Sequence, residues 1–206
     1  MKKLAFAVLI LSIPQAIASA DCFDGIYFGG GFGYYSADDI AQNISYNEEV
    51  SINASRVIGT VLFGSGKTAN ARPLYLGGEI LLDFAKTHRS NVVLRGQNVR
   101  IRDNGLAPSF GIRFGYAARE VGTLFFGRVG FAHRKITLDS GVDSLLKTSK
   151  LIPTLGIGIE KALYDKCTFR FDLEYATQRN KNNGIYKLEC GHSVSTRLMI
   201  IYNTKF

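Results

Sequence analysis

Apolar and polar residues alternate along most of the chain after its first twenty residues. In "LYLGGEILLDF", from Leu74 to Phe84, one set of alternate positions is apolar apart from a glycine, whereas acids and further glycine share the other set. Successive side chains of a β-strand point to opposite faces, so this pattern predicts a strand with one apolar face. It recurs in "GIYFGGGFGYY", "SFGIRFGY", "LIPTLGIGIE", "TFRFDLEYAT" and the final run. Two less regular runs, 53–63 and 123–135, bring the predicted strands to eight.

Two kinds of closed barrel alternate in this way. A soluble barrel of the lipocalin type would place the apolar face inside, whereas an outer-membrane barrel turns it toward lipid. Glycine clusters on the polar face, as a narrow eight-stranded interior requires, and that face carries charges of both signs. Long predicted connections (38–52, 86–104, 138–150 and 179–192) alternate with short ones (64–73, 117–122 and 164–167). These features predict an all-β, eight-stranded antiparallel up-and-down transmembrane β-barrel.

The first twenty residues have the features of an export signal. Lys2 and Lys3 precede ten apolar residues, and "AIASA" ends in small residues at the spacing that signal peptidase cuts. Ten apolar residues are too few for a membrane-spanning helix, which needs roughly twenty. We therefore expect a signal peptide at 1–20 and a barrel at 21–206, exported through the periplasm; an N-terminal membrane anchor is the alternative.

The polar faces of the predicted strands carry nine charged residues. Eight strands leave an interior that side chains fill, and buried charges must be paired. The pattern therefore predicts an interior ion-pair network in preference to a small conducting pore. Its members are Glu79, Asp83, Arg113, Arg128, Glu160, Arg170, Asp172, Glu174 and Arg197.

The formal net charge of +8 includes a basic segment in the second long connection. At a bacterial surface such a segment could hold lipopolysaccharide phosphates or sulfated host glycans. It could equally pair with the acidic first connection, which carries Asp38, Asp39, Glu48 and Glu49. Nucleic acid is not expected, because aromatic residues do not alternate with these charges. The candidate anion contacts are Lys86, Arg89, Arg95, Arg100 and Arg102.

Three stretches resemble a known family. "DGIYFGGGFGYYS" resembles the first strand of the OmpA/OmpX-like outer-membrane barrels, especially the opacity-protein and rickettsial surface-antigen branch, and "PTLGIGIEKALYDKCTFRFDLEYA" resembles their penultimate hairpin. Phe206 resembles the terminal signal of the outer-membrane assembly machinery, although Thr204 departs from the usual apolar residue. The resemblance implies a surface-exposed structural or adhesin-like protein of the outer membrane, which contacts outer-membrane lipid and possible host surface molecules. It implies no catalytic residue and no cofactor.

Two motifs suggest enzymes. "FGSGKT" ends like a phosphate-binding loop, but Val61 stands where that loop has its first glycine. We therefore predict an inner turn in which Gly64 and Gly66 adopt positive φ. "HSVS", from His192, invites comparison with lipid A-modifying barrel enzymes, which use His and Ser near the outer rim. Its spacing does not match theirs, so we expect no enzyme; a hydrogen-bonded His–Ser pair at the rim would favour one.

Cys22 and Cys167 are predicted to lie at the same, inner end of the barrel. The periplasm is oxidising, and disulfides persist there. We therefore predict a disulfide between them, which would fasten the N-terminal tail.

Overall fold

The computed structural model describes residues 20–43, 48–69, 72–94, 97–103, 105–139, 144–177, 179–182 and 186–204. Within these ranges no helix is long and apolar enough to cross a membrane. Two 3₁₀ turns occur, at Ala20–Phe23 and Arg119–Val121. The strands are β1 (Gly25–Asn43), β2 (Glu48–Thr68), β3 (Leu74–Phe84), β4 (His88–Leu94), β5 (Gln97–Asp103), β6 (Leu106–Ala118), β7 (Thr123–Asp139), β8 (Ser144–Tyr164), β9 (Cys167–Ala176), β10 (Arg179–Asn182), β11 (Tyr186–Cys190) and β12 (Ser193–Thr204).

Eight of these strands form a closed antiparallel barrel in the order β1-β2-β3-β6-β7-β8-β9-β12. The ladder between β1 and β12, from Ile26↔Thr204 to Ala37↔Ser193, closes it. Each of the eight predicted strands lies within one of them, except that Thr177, the last residue of "TFRFDLEYAT", follows the end of β9. The prediction of an eight-stranded up-and-down antiparallel barrel is therefore confirmed.

The barrel is apolar on its outer surface. Phe32, Leu76 and Ile157 are each more than 60 % exposed, whereas Arg113 and Arg170 are at most 1 % exposed. A barrel with buried guanidinium groups and an exposed apolar outer surface is stable where that surface contacts the hydrocarbon of a membrane. The soluble lipocalin-like carrier, which requires the apolar face to point inward, is therefore contradicted.

Most of the predicted outer connections are strands, so the prediction of long loops is wrong there. The β1–β2 ladder continues to Asn43↔Glu48, and the β7–β8 ladder continues to Asp139↔Ser144. The second connection contains the β4–β5 hairpin. The exposed apolar surface of the barrel, which includes Phe32, Leu76 and Ile157 and which we call the apolar belt, ends below these extensions. An outward side chain there is outside the hydrocarbon and need not be apolar. The strands are predicted from an apolar face, and these extensions lack one.

The extensions form two four-stranded groups, which we call the first and second outer lobes. The first lobe has the order β10-β11-β1-β2, and its β11–β1 ladder begins at Ile40↔Glu189. The second has the order β4-β5-β7-β8, and its β5–β7 ladder begins at Arg100↔Asp139. Among the residues that the structure describes, no ladder joins β2 to β4 or β8 to β10. Above the belt the hydrogen-bonded ladders therefore form two groups, although β4 lies close to β2, and β10 and β11 lie close to β8.

Gly64 and Gly66 lie within β2, so the predicted turn is wrong. Among the described glycines, only Gly25 and Gly122 have positive φ. The interior tyrosines explain the glycines of β2. A Cβ added to Gly64 would lie 2.5 Å from the ring of Tyr27, and one added to Gly66 would overlap the hydroxyl of Tyr75. Glycine therefore makes room for two large interior rings.

The inner end of the barrel is closed by the residues that precede β1. Cys22 and Phe23 are buried against Tyr75, Leu124 and Phe126. The amide N–H of Thr68 donates to Asp24 Oδ1 at 2.7 Å, which ties this segment to the end of β2. The N-terminal segment therefore packs as a plug in the inner mouth.

The structure does not join Cys22 to Cys167, and both sulfurs are thiols. Cys22 packs in the interior plug, whereas Cys167 alternates with the buried Thr168 and Arg170 and so faces outward. The barrel wall lies between the two side chains. The predicted disulfide is therefore wrong. The prediction placed both cysteines at the same end of the barrel but did not consider which face of the barrel wall each side chain occupies.

Three predicted features lie outside the described residues. They are the signal peptide up to residue 19, Arg95 and the terminal Phe206.

Candidate functional site

Glu79 on β3 is the centre of the charged interior. Its carboxylate accepts two hydrogen bonds from Arg170, at 2.7 and 2.9 Å. Arg128 Nε lies 2.9 Å from Glu79 Oε1, and Arg113 Nη1 lies 3.4 Å from Glu79 Oε2. Tyr27 adds a hydroxyl donor at 3.3 Å. One fully buried carboxylate therefore connects guanidinium groups from β6, β7 and β9.

A second group of contacts extends this centre toward β8 and along β9. Arg113 Nη2 lies 2.8 Å from Glu160, whose other oxygen accepts the hydroxyl hydrogen of Thr168 at 2.7 Å. Arg170 forms a bidentate contact with the carboxylate of Asp172, at 2.6 and 2.7 Å. Both guanidinium groups therefore have carboxylates on two sides.

A third group of contacts connects the centre to β12. Arg197 Nη2 lies 2.7 Å from Asp83 and 3.1 Å from Glu174, and Arg128 also contacts Glu174. Thr60 donates its hydroxyl hydrogen to Asp83 at 2.6 Å. The structure thus brings all nine predicted interior residues into one network.

Aromatic rings cover the inner side of this network. The guanidinium carbon of Arg113 lies 4.1 Å from the ring centroid of Phe126 and 5.1 Å from that of Tyr75. Arg170 lies 4.6 Å above the same Phe126 ring. Cation–π contacts are stronger where water is excluded, so these rings stabilise cations that cannot be hydrated.

Sequence reasoning missed a second cluster of charges, at the level of the outer lobes. Arg134 donates to both oxygens of Asp39, at 3.1 and 2.8 Å, and to Asp103 at 3.0 Å. Arg56 also lies 3.0 Å from Asp103, and its guanidinium carbon lies 4.8 Å from the ring centroid of Tyr35. Both aspartates had been assigned to loops. Continuing the alternation of β1 and β7 beyond the belt would have placed Asp39 and Arg134 inside.

Asp39 lies above the apolar belt and is buried. Burial raises the pKa of its carboxyl group, and the charge and hydrogen bonds of Arg134 oppose that rise. The amide N–H of Gly191 donates to Asp39 Oδ1 at 3.1 Å, which connects the second cluster to the segment before β12.

A cavity of about 50 Å³ separates the two clusters. The network contributes Asp83, Glu174 and Arg197 to its lining, and the outer cluster contributes Arg56 and Asp103. Apolar side chains and the plug fill the interior below the network. Within the part of the chain that the structure describes, the cavity therefore has charged residues of the network on one side and of the outer cluster on the other.

The candidate anion contacts lie in and beside the second lobe. Lys86, just after β3, and Arg100 and Arg102 on β5 are exposed. Arg89 is opposite Arg102 in the β4–β5 ladder. No ion pair involves Arg100 or Arg102 among the described residues.

Further cations continue this surface on β7 and β8. The ladder pairs Arg102 with Thr137, which in turn pairs with Lys147, and Lys135 lies one outward position nearer the belt. We call Arg100, Arg102, Lys135 and Lys147 the outer basic strip. On the first lobe, the exposed charges Asp38 and Glu49 have the opposite sign.

The "HSVS" motif does not form a His–Ser pair. Ser193 and Ser195 are buried inside the barrel, whereas His192 faces outward and contacts Tyr175, with ring centroids 5.5 Å apart. A different pair forms on the second lobe: His133 Nε2 lies 2.7 Å from Ser149 Oγ. Both residues are on the outward face, next to the basic strip, and the sequence spacing gave no indication of this contact.

We predict that Glu79→Gln lowers the free energy of unfolding by about 3–5 kcal/mol, the cost of removing one partner from a buried ion pair. The change leaves Arg113, Arg128 and Arg170 with one carboxylate fewer between them. Urea unfolding in lipid vesicles measures the difference in the free energy of unfolding. The folded fraction at each urea concentration is read from the mobility change on boiling. Glu49→Gln removes an exposed carboxylate and is the matched control. Equal stability of the Glu79 variant and the unmodified protein would contradict the central role of Glu79.

Comparisons with known proteins agree with this architecture. The chain matches the family described as "Outer membrane protein beta-barrel domain" over residues 4–193. OprG from Pseudomonas aeruginosa aligns with a TM-score of 0.60 at 13 % identity, covering 91 % of this chain and 99 % of OprG. Neisserial surface protein A aligns with a TM-score of 0.51 at 9 % identity, covering 88 % of this chain and 100 % of that protein. At such identities the likeness concerns the fold alone.

No curated protein matches the sequence. The family match spans most of the chain, and the resemblance to OmpA/OmpX-like barrels is confirmed at the level of family and fold. The chain belongs to the family of outer-membrane protein β-barrel domains.

Proposed function

We propose that this protein is a surface protein of the bacterial outer membrane, in which the barrel is a scaffold and the two outer lobes carry the specific function. The observation that supports the proposal most strongly is the contrast between the two parts. The interior of the barrel is filled with paired charges, whereas the strands continue well beyond the apolar belt as two lobes that carry exposed charged residues. Strands that extend beyond the membrane provide a surface that other molecules can contact.

The interior supports a scaffold better than a pore. A conducting path would have to pass the contacts between Glu79 and three arginines and the aromatic plug beneath them. Separating a buried charge from its partner is costly, so such a path would not open by thermal motion of single side chains. An adhesin or surface antigen needs no such path.

Several partners follow from this proposal. After export through the periplasm, the assembly machinery would recognise the terminal segment that ends at Phe206. The apolar belt would then contact outer-membrane lipid, and the lobes would contact lipopolysaccharide or host surface molecules.

An epitope inserted between Asp139 and Ser144, at the tip of the second lobe, tests the surface location. We expect antibody to label it on intact cells, because this hairpin lies at the end opposite the N-terminal plug. The matched control is the same epitope between Asp165 and Lys166, in the short turn that joins β8 to β9. It should be labelled only after permeabilisation. Labelling of the control on intact cells, with the lobe epitope protected, would contradict the proposal.

The contact between His133 and Ser149 favours a second candidate, a lipid A-directed ester hydrolase. A serine hydroxyl becomes a useful nucleophile when an adjacent base accepts its proton, and the 2.7 Å contact has that geometry. Ser149 Oγ would attack an acyl ester of lipid A while His133 accepts the proton and later returns it to the leaving alcohol. Water would then release the fatty acid from the serine ester. This candidate ranks second because a nucleophile–base contact is only one part of such a site.

Release of fatty acid from lipid A vesicles by the purified barrel tests the second candidate. It predicts measurable release that falls to the background rate in Ser149→Ala. Ser55→Ala, which removes an exposed serine hydroxyl from the first lobe, should leave the rate unchanged. No release by the unmodified protein, or equal release by Ser149→Ala, would eliminate it.

A further inference from the structure

The outer basic strip lies on the lateral surface of the barrel. Arg100, Arg102 and Lys147 are exposed, and Lys135 is half-buried. They alternate with the buried Ile101, Ile136 and Leu138, which point toward the interior of the lobe. The cations therefore face the space beside the barrel, where neighbouring lipids lie.

The strip begins directly above the apolar belt. Leu151 and Phe131, which are 50 and 43 % exposed, are the outermost large apolar residues of this surface among the described side chains of β8 and β7. Ser149 is two residues beyond Leu151, and its ladder partner is Lys135. Strands rise about 3.3 Å per residue, so Lys135 lies roughly 7 Å along the strand from the belt, and Lys147 roughly 13 Å. At these distances from the apolar belt, a membrane protein contacts lipid headgroups.

Exposed cations cluster on the second lobe. On the second lobe, three exposed cations and Lys135 share the outward surface with Asp139, whereas on the first lobe the exposed charges include Asp38 and Glu49. A cluster of one sign next to low-dielectric walls concentrates counter-ions of the opposite sign. The side chains of His133 and Ser149 add hydrogen-bonding groups between the belt and the cations.

We propose that the outer basic strip binds the phosphate groups of a phosphorylated glycolipid of the outer leaflet, with the chemistry of lipid A. The acyl chains would lie along the belt at Phe131 and Leu151, and the phosphates would contact Arg102, Lys135 and Lys147. Charge complementarity and the continuity of the strip with the lipid-facing belt support this occupant over a soluble one. A soluble anion or glycan needs no adjoining apolar surface. The proposal rests on the proposed location in the outer membrane.

Native mass spectrometry of the folded, full-length mature protein in detergent measures the binding directly. The probe is lipid A with two phosphate groups, and the comparison lipid is the same molecule after both phosphates are removed. The test variant is Arg102→Gln/Lys135→Gln/Lys147→Gln, which removes the three cations proposed to contact the phosphates. The matched control is Lys67→Gln/Arg72→Gln/Lys166→Gln, which removes three exposed cations at the inner end. The mobility change on boiling verifies that each variant is folded.

We expect the strip variant to retain at most one fifth of the lipid A that the unmodified protein retains, and the control to stay within twofold of it. The dephosphorylated lipid should bind the unmodified protein as weakly as lipid A binds the strip variant. Equal lipid A binding by the strip variant, or equal binding of both lipids, would overturn the proposal. Displacement of lipid A by heparin, or by inorganic phosphate at equal concentration, would assign the strip to a soluble anion and overturn it as well. Because this assay does not depend on orientation in the cell, its failure is distinguishable from failure of the surface-labelling experiment.

Discussion

The pairing of charges inside a narrow barrel is the constraint on which the rest of this structure depends. An interior enclosed by eight strands holds side chains and little else, so each buried charge must find its partner on another strand or nearby on its own. Glu79 meets that requirement for three arginines at once. A shift of one residue in the register of β3 would move Glu79 to the lipid-facing side and leave those arginines without it. The network therefore specifies register as well as filling space.

The other parts of the molecule follow from this arrangement. Below the network, Tyr27 and Tyr75 need the space left by Gly64 and Gly66, and the plug around Cys22 closes the inner mouth. Above it, a second cluster holds the bases of the two lobes together, because Asp39 belongs to β1 and Arg134 to β7. The two lobes are therefore joined at their bases to one barrel. Their separate surfaces are where we place specific function.

Alternation along the chain was enough to predict the strands within the membrane and, for all but the irregular run at 53–63, which side faces inward. That is why the sequence placed the nine charges of the network on inward faces, whereas the buried Asp39, Asp103 and Arg134 were missed. The same rule failed beyond the belt, because the strands leave the hydrocarbon there and strands such as β5 no longer need an apolar outward face. The rule also failed to predict which side chains of different strands contact each other. Cys22 and Cys167 share an end but not a face, and His133 and Ser149 meet across a ladder whose register the sequence does not reveal.

The central claim is that paired charges close the barrel, and ionic conductance across a planar bilayer tests it most directly. The purified protein, inserted in a membrane at neutral pH, should show no current above that of the bare bilayer, because the network and the plug leave no continuous path. A steady open conductance that appears with protein insertion and scales with salt concentration would contradict the claim. It would mean that the interior holds a pore.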